Sequence, residues 1–200
     1  MAMAASAKEL KYRERQRQVI DAAAAVFAEK GYHGASTKEI AERLGIRQGS
    51  LYYYFSSKEE ALAEVCRLGV EGQVQRLEGI IAADIPASEK IRRFFLCHLE
   101  PLRTLPNHME VFLGQRQHLG GERRRVVQRI AREYEELVVG IFREGQAANE
   151  FPADLDCQLA ALGLLGMCNW VPTWYARNPG HTLEQIAGQF AAIFLEGLKA

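Results

Sequence analysis

Apolar residues recur along almost the whole chain at three- and four-residue intervals, and no run of β-branched residues alternates with polar ones between turn signals. This pattern predicts an all-α protein of about nine or ten helices. A first helix over 8–30 carries Val19, Ala23, Val26 and Phe27 on one stripe, with Gly31 as its natural end and a short arm of small residues ahead of Lys8. Two short helices follow, over 38–44 and 48–55, joined through Gly45 and Ile46, and Ser57 caps a longer helix over 58–83. Beyond Asp84 the breaks are Pro86, Pro101, Pro106, Gly120 with Gly121, Pro152, Pro172 and Pro179 with Gly180. Over 121–146, Val127, Ile130, Tyr134, Leu137, Val138, Ile141 and Phe142 form a wide stripe opposite Arg123, Arg124, Arg129, Arg132 and Glu136. A last helix over 183–198 repeats the arrangement with Ile186, Phe190, Ile193, Phe194 and Leu198.

The segment 36–62, STKEIAERLGIRQGSLYYYFSSKEEAL, carries the chemistry. Ser36 or Thr37 caps a helix whose inner face is Ile40, Ala41 and Leu44; Gly45 permits the sharp turn; Leu51 and Phe55, four apart, face inward from the next helix. Two short helices sharing a small core across a tight turn make a helix-turn-helix. The second helix then exposes Arg47, Gln48, Gly49 and Ser50 at its start, residues small or polar enough to approach base edges and phosphates in a major groove. Tyr52, Tyr53 and Tyr54 cannot all enter one small core, so at least one or two face outward, where a phenol can bond a phosphate. Lys58 opens the following helix, where positive charge and free backbone N–H groups both favour phosphate.

The formal charge is zero, 25 Lys and Arg against 25 Asp and Glu, with 48% apolar residues: a globular chain rather than a disordered or uniformly basic one. Divided at residue 58 the balance changes. Residues 1–58 hold 10 cations against 6 acids and residues 59–200 hold 15 against 19, a balance of +4 against −4. Neutrality thus averages a basic head with an acidic body, the polarity DNA binding needs.

The segment 17–62 resembles the DNA-binding domain of the TetR family of bacterial transcriptional regulators: FAEKGYHGAS leads into TKEIAERLGI and then LYYYF-x-x-KEEAL, in order and at the family's spacing. The resemblance implies a helix-turn-helix domain over 8–57 and a ligand-binding and dimerisation domain over 58–200. It implies that Thr37 and Lys38 touch the DNA backbone or a groove edge. Gln48, Gly49 and Ser50, with Arg47, face bases, Tyr52, Tyr53 and Tyr54 meet backbone and base methyls, and Lys58 pairs with a phosphate. The partners it implies are a double-stranded DNA operator, a small-molecule effector and a second copy joined through the last two long helices.

The uncharged window 157–176, CQLAALGLLGMCNWVPTWYA, is long enough to span a bilayer, but Gln158, Asn169, Pro172, Gly163 and Gly166 interrupt it and no Lys or Arg cluster orients it. It reads as a helix buried between its own domain and a partner subunit, not as a membrane helix. Leu99, Leu102, Phe112, Gln115, His118, Tyr134, Asn169, Trp170 and Trp174 are the candidate lining of an effector pocket between the central helices. The run GMCNWVPTWYARNPG resembles a TetR-family subgroup whose members often answer to acyl-CoA thioesters or related lipid-catabolism intermediates; the expected effector is a small hydrophobic molecule, with an acyl-CoA as one candidate and an aromatic or other lipophilic molecule of efflux or catabolic control as the alternative. His33, His98, His108, His118 and His181 show no metal-ligand spacing, and neither a G-x-S-x-G elbow nor a glycine-rich phosphate loop opens a helix. The expectation is a non-enzymatic repressor with no catalytic residue, metal or cofactor. With no secretory signal and widely spaced Cys66, Cys97, Cys157 and Cys168, the expected location is the cytoplasm with reduced thiols.

Overall fold

The computed structural model describes residues 7–175, 177 and 180–198; residues 1–6 of the expected arm ahead of Lys8, and Pro179, lie outside them. Among the described residues the chain is helical without strands: α1 (Ala7–Gly34), α2 (Thr37–Arg43), α3 (Gln48–Leu51), α4 (Lys58–Ile81), α5 (Ala87–Leu99), α6 (Pro101–Thr104), α7 (Pro106–Gln115), a single 3-10 turn over Arg116–His118, α8 (Gly121–Ala147), α9 (Cys157–Tyr175) and α10 (Leu183–Glu196). They form two compact units, residues 1–69 with 107–127, and residues 70–106 with 128–200. Helices α4 and α8 contribute residues to both.

In the first unit the expected stripe of α1 is buried: Val19, Ala23, Val26 and Phe27 are closed to solvent together with Ile40, Ala41, Leu51, Phe55 and Leu62. Gly31 adopts φ +67°, which breaks α1, but a further turn continues to Gly34. The break changes what Tyr32 bonds: the Gln115 side-chain oxygen accepts its N–H at 3.1 Å. Ser36 caps α2 through a complete capping box, its hydroxyl accepting the Glu39 N–H while the Glu39 carboxylate accepts the Ser36 N–H, a device typically worth about 1 kcal/mol. Ser57 caps α4 as its sequence position implies, accepting the Glu60 N–H.

The second short helix is shorter than expected. It ends as a helix at Leu51, and Tyr53 and Tyr54 bond back three residues, to Ser50 and Leu51, in successive turns. Aromatic side chains lose χ1 freedom in a helix, and Tyr53 and Tyr54 find ring partners rather than a helical ridge, so the regular ladder does not continue through them.

The second unit is built around aromatic contacts. α5 packs chiefly on α10, and Phe95 meets the rings of Phe190 and Phe194 edge-on. Phe142 of α8 touches Phe151 and Phe194. Pro86, at the N-cap of α5, has no side-chain oxygen to offer; instead the Glu150 carboxylate accepts the N–H groups of Ala87 and Ser88 at 2.8 and 3.0 Å. A carboxylate at a helix N-terminus also meets the favourable end of the dipole, and these bonds, working against partial burial, hold Glu150 below the usual carboxylate range. Lys90 is buried, and its ammonium donates to both Glu144 oxygens at 2.7 and 2.9 Å.

Candidate nucleic-acid interface

Two elements set the surface. The capping box fixes where α2 begins and Gly45, at φ +64°, turns the chain sharply after it, with the Ile46 N–H returning to the Ala41 carbonyl. Ion pairs hold α2 on α1: Lys30 bonds Glu39, and Arg43 bonds Glu29 at 2.6 Å. Lys30, then Ser36, hold the Glu39 carboxyl below its ordinary range, and Arg43 does the same for Glu29.

On this frame Arg47, Gln48, Gly49 and Ser50 are all exposed and consecutive. Gln48 reaches across to α2, its amide donating to the Thr37 hydroxyl at 2.9 Å, so two of the expected contact residues come from different helices and meet. Lys38 is exposed and faces Glu42 at 3.6 Å. Tyr52 is 51% and Tyr53 73% exposed, while Tyr54 is half-buried, in line with the outward share that three consecutive tyrosines require. Lys58 is half-buried: it donates to the Ala35 carbonyl at 3.0 Å, with its ammonium 4.7 Å from the centre of the Tyr32 ring. The ten expected contact residues therefore form a polar surface of Thr37, Lys38, Arg47–Ser50 and the tyrosines, with Lys58 bonded to the α1–α2 corner behind it.

The expected effector lining divides between the two units. Phe112, Gln115 and His118 belong to the first, where Gln115 holds the Tyr32 N–H, the His118 ring stacks on Tyr32 and meets His33, and Phe112 lies under the Arg116 guanidinium. Leu99, Leu102, Tyr134, Asn169, Trp170 and Trp174 belong to the second. There Tyr134 and Asn169 are brought together by His98, which the sequence alone leaves as one of several scattered histidines. Its Nδ1 lies 2.9 Å from the Tyr134 hydroxyl and its Nε2 3.3 Å from the Asn169 side-chain oxygen. An amide oxygen can only accept, so Nε2 carries the proton and the Tyr134 hydroxyl donates to Nδ1. Burial pushes His98 down to about 4 and raises Tyr134 well above its ordinary value, so both are neutral at pH 7. The signal was present: His98 continues the stripe of Ile91, Phe94 and Phe95 on α5, all buried. Trp170 is 67% exposed and Trp174 half-buried. A cleft of about 400 Å³ in the first unit is lined by Glu60, Ala63, Glu64, Arg67 and residues 122, 123, 126 and 127, none of them an expected effector residue.

Burial raises the thiols of Cys66, to about 12, and of Cys97 and Cys168, which works against thiolate chemistry at all three. Among the described residues no three His, Cys, Asp or Glu side chains are placed to hold a metal ion, and no helix is long and apolar enough to cross a membrane.

A capped helix, a glycine turn and a short second helix that exposes polar residues and tyrosines define a helix-turn-helix DNA-binding protein. Residues 19–65 match the bacterial regulatory proteins of the tetR family, and residues 84–198 match the tetracyclin repressor-like C-terminal domain. The chain belongs to the TetR family of DNA-binding transcriptional regulators. It is 27% identical over 186 residues to the HTH-type transcriptional repressor KstR2 of Rhodococcus jostii, covering 92% of this chain and 91% of that one. Among solved structures it resembles the TetR family transcriptional regulator PfmR from Thermus thermophilus, at 28% identity and TM-score 0.84 over 91% of this chain and 99% of that chain. It also resembles the regulator FadR from Bacillus subtilis in complex with stearoyl-CoA, at 27% identity and TM-score 0.79 over 92% and 99%.

Proposed function

We propose that the chain is a homodimeric repressor that leaves a palindromic operator when a small hydrophobic effector, an acyl-CoA thioester, binds its C-terminal region. The observation that carries the DNA half is the contiguous exposed run Arg47–Ser50 with Tyr52 and Tyr53 beside it, on a helix-turn-helix fixed from behind by Lys58. One such element reads only a few base pairs, and useful affinity comes from two copies on a two-fold site.

The second copy is supported by α9 and α10. Leu159, Leu162, Gly163, Gly166 and Trp170 are exposed at helical spacing on α9, as are Gly188, Ala192 and Ile193 on α10. Such a stripe is costly to leave in water, and its glycines permit the close helix approach of an intersubunit four-helix bundle. The effector assignment draws on FadR, whose structure holds stearoyl-CoA, and on the polar set of buried His98 and Tyr134 with exposed Asn169, beside the aromatic rings of the second unit and suited to a ligand's carbonyl. Leu99, Leu102 and Trp174 are the apolar lining of this reading, and α4 and α8, which serve both units, carry the coupling. Domains of 8–57 for DNA and 58–200 for ligand and dimer remain its working division, with no catalytic role.

The test is operator release in a mobility-shift assay against acyl-CoAs of graded chain length, with free CoA and aromatic lipophiles as comparison arms. Acyl-CoAs alone should release the DNA, whereas release by aromatics alone replaces the effector class. In the same assay Tyr53→Ala should weaken binding about tenfold, a loss of about 1.4 kcal/mol, without loss of the dimer; unchanged binding sinks the proposed contact surface.

A further inference from the structure

The first three turns of α1 have no part in the folded core. Residues 9–18 include no buried side chain, and the family match to the DNA-binding region begins only at residue 19. They nevertheless continue as regular helix for about 18 Å ahead of Val19.

Their charge is the larger part of the head's excess. Residues 7–18 hold five cations, Lys8, Lys11, Arg13, Arg15 and Arg17, against Glu9 and Glu14, a balance of +3. Residues 19–58 hold five cations against four acids, a balance of +1. Within that core motif most cations are already engaged: Lys30 on Glu39, Arg43 on Glu29, Lys38 facing Glu42, and Lys58 on the Ala35 carbonyl. Duplex DNA carries one negative charge per roughly 1.7 Å of axis, and affinity for it scales with the cations brought to phosphates. The helix-turn-helix proper is poorly supplied.

Tyr12 links the two. Its ring stacks on Tyr54 with centroids 6.0 Å apart and planes 19° apart, and meets Tyr53 edge-on at 5.8 Å. Tyr53 and Tyr54 are themselves edge-to-face at 5.4 Å, so these two tyrosines of the recognition segment and Tyr12 of the α1 extension make one three-ring cluster. At 100° per residue, Lys11 and Arg15 fall on one shoulder of the Tyr12 face, and Glu9, which pairs with Arg13, falls on the other. Arg15 bonds the neutral Gln18, and both it and exposed Lys11 are without a carboxylate partner among the described residues.

We propose that the N-terminal extension of α1 is a second DNA-contacting element: Lys11 and Arg15 engage operator phosphates beside the groove entered by the recognition segment, and Tyr12 is the positioning residue that holds them there. The proposal rests on the DNA-binding reading of residues 36–58. It is tested with a duplex that the wild-type protein itself selects from randomised oligonucleotides, by anisotropy titrations across a salt series. Replacing both cations, Lys11→Ala with Arg15→Ala, should weaken binding at least tenfold at low salt and flatten the plot of log affinity against log salt by roughly one unit per phosphate contact removed. The ranking of mismatched duplexes should not change, because phosphate contacts carry no base information. Tyr12→Ala should flatten the slope similarly and Tyr12→Phe should not. A double variant with wild-type slope and affinity overturns the proposal, and Tyr12→Ala with the wild-type slope overturns the positioning role. If Tyr53→Ala is also without effect, or no duplex is selected, the parent reading fails with it; if Tyr53→Ala binds weakly while the double variant does not, only the extension is excluded.

Discussion

The recognition surface and the interior of the second unit are held by bonds of different reach. Around the recognition surface most side-chain bonds close over short stretches of chain: Ser36 with Glu39, Thr37 with Gln48, Lys30 with Glu39. In the second unit the polar pairs, buried at His98 and Tyr134 and part-buried elsewhere, join distant positions: His98 with Tyr134 and Asn169, Lys90 with Glu144, Ser88 with Glu150. Local bonds let a motif specify its own surface, which suits an element that must present fixed side chains to DNA. Long-range bonds make the second unit depend on the whole arrangement, which suits an element whose packing a ligand can alter.

The comparison is most severely tested at Phe142. This side chain is fully buried and joins Phe151 to Phe194, so Phe142→Ala should cost about 3–5 kcal/mol by urea denaturation. If the head is locally specified, DNA affinity per folded molecule should barely change; a parallel collapse of affinity in samples that remain folded would show the two units to be equally interdependent.

Protonation tests the second unit more gently. His98 titrates near 4 in the fold and near 6.5 when unfolded. Above pH 6.5 neither state holds the proton and nothing is lost. As pH falls below 6.5 the unfolded chain takes up a proton that the folded protein refuses until about pH 4, so stability declines through that window, by about 2 kcal/mol at pH 5. His98→Gln should remove this part of the slope between pH 7 and pH 5, since His108, also lowered by burial, and the carboxylates act in both proteins. Equal slopes would mean that His98 is open to water.

The same difference in reach explains what could be read from the residues alone. A capping box, a glycine turn and a tyrosine run all fall within residues 36–58, and the exposed polar face of the helix-turn-helix was legible in them. Helical periodicity also located the longer helices, because an apolar stripe requires only its own helix. It does not say which stripes meet. Gln115 and His118 read as polar contacts of an effector pocket, and no pattern in the residues links them to Tyr32; after the break at Gly31, Gln115 accepts the Tyr32 N–H from 83 residues away. Glu150 capping α5 is hidden for the same reason. The share of the basic charge lying ahead of the motif was visible in the sequence, but only the Tyr12 ring contacts gave it a place.

Two glycines bring the comparison to its smallest scale. Gly145 must be small because of a partner: a Cβ there would overlap the Phe151 ring. Gly45 has open space around it and is constrained only by its own φ of +64°. Gly145→Ala should therefore cost about 1–3 kcal/mol through overpacking, and trimming Phe151 to Leu in the same protein should recover part of it. Gly45→Ala should cost about 1 kcal/mol through the left-handed backbone alone, and Gly45→Asn less, because Asn tolerates that region better. Urea midpoints of the four variants separate the two causes. If Asn rescues position 45 and a smaller neighbour rescues position 145, the head is set by backbone conformation and the body by packing partners; if neither rescue works as assigned, the distinction between local and long-range specification fails at the residues where it is easiest to see.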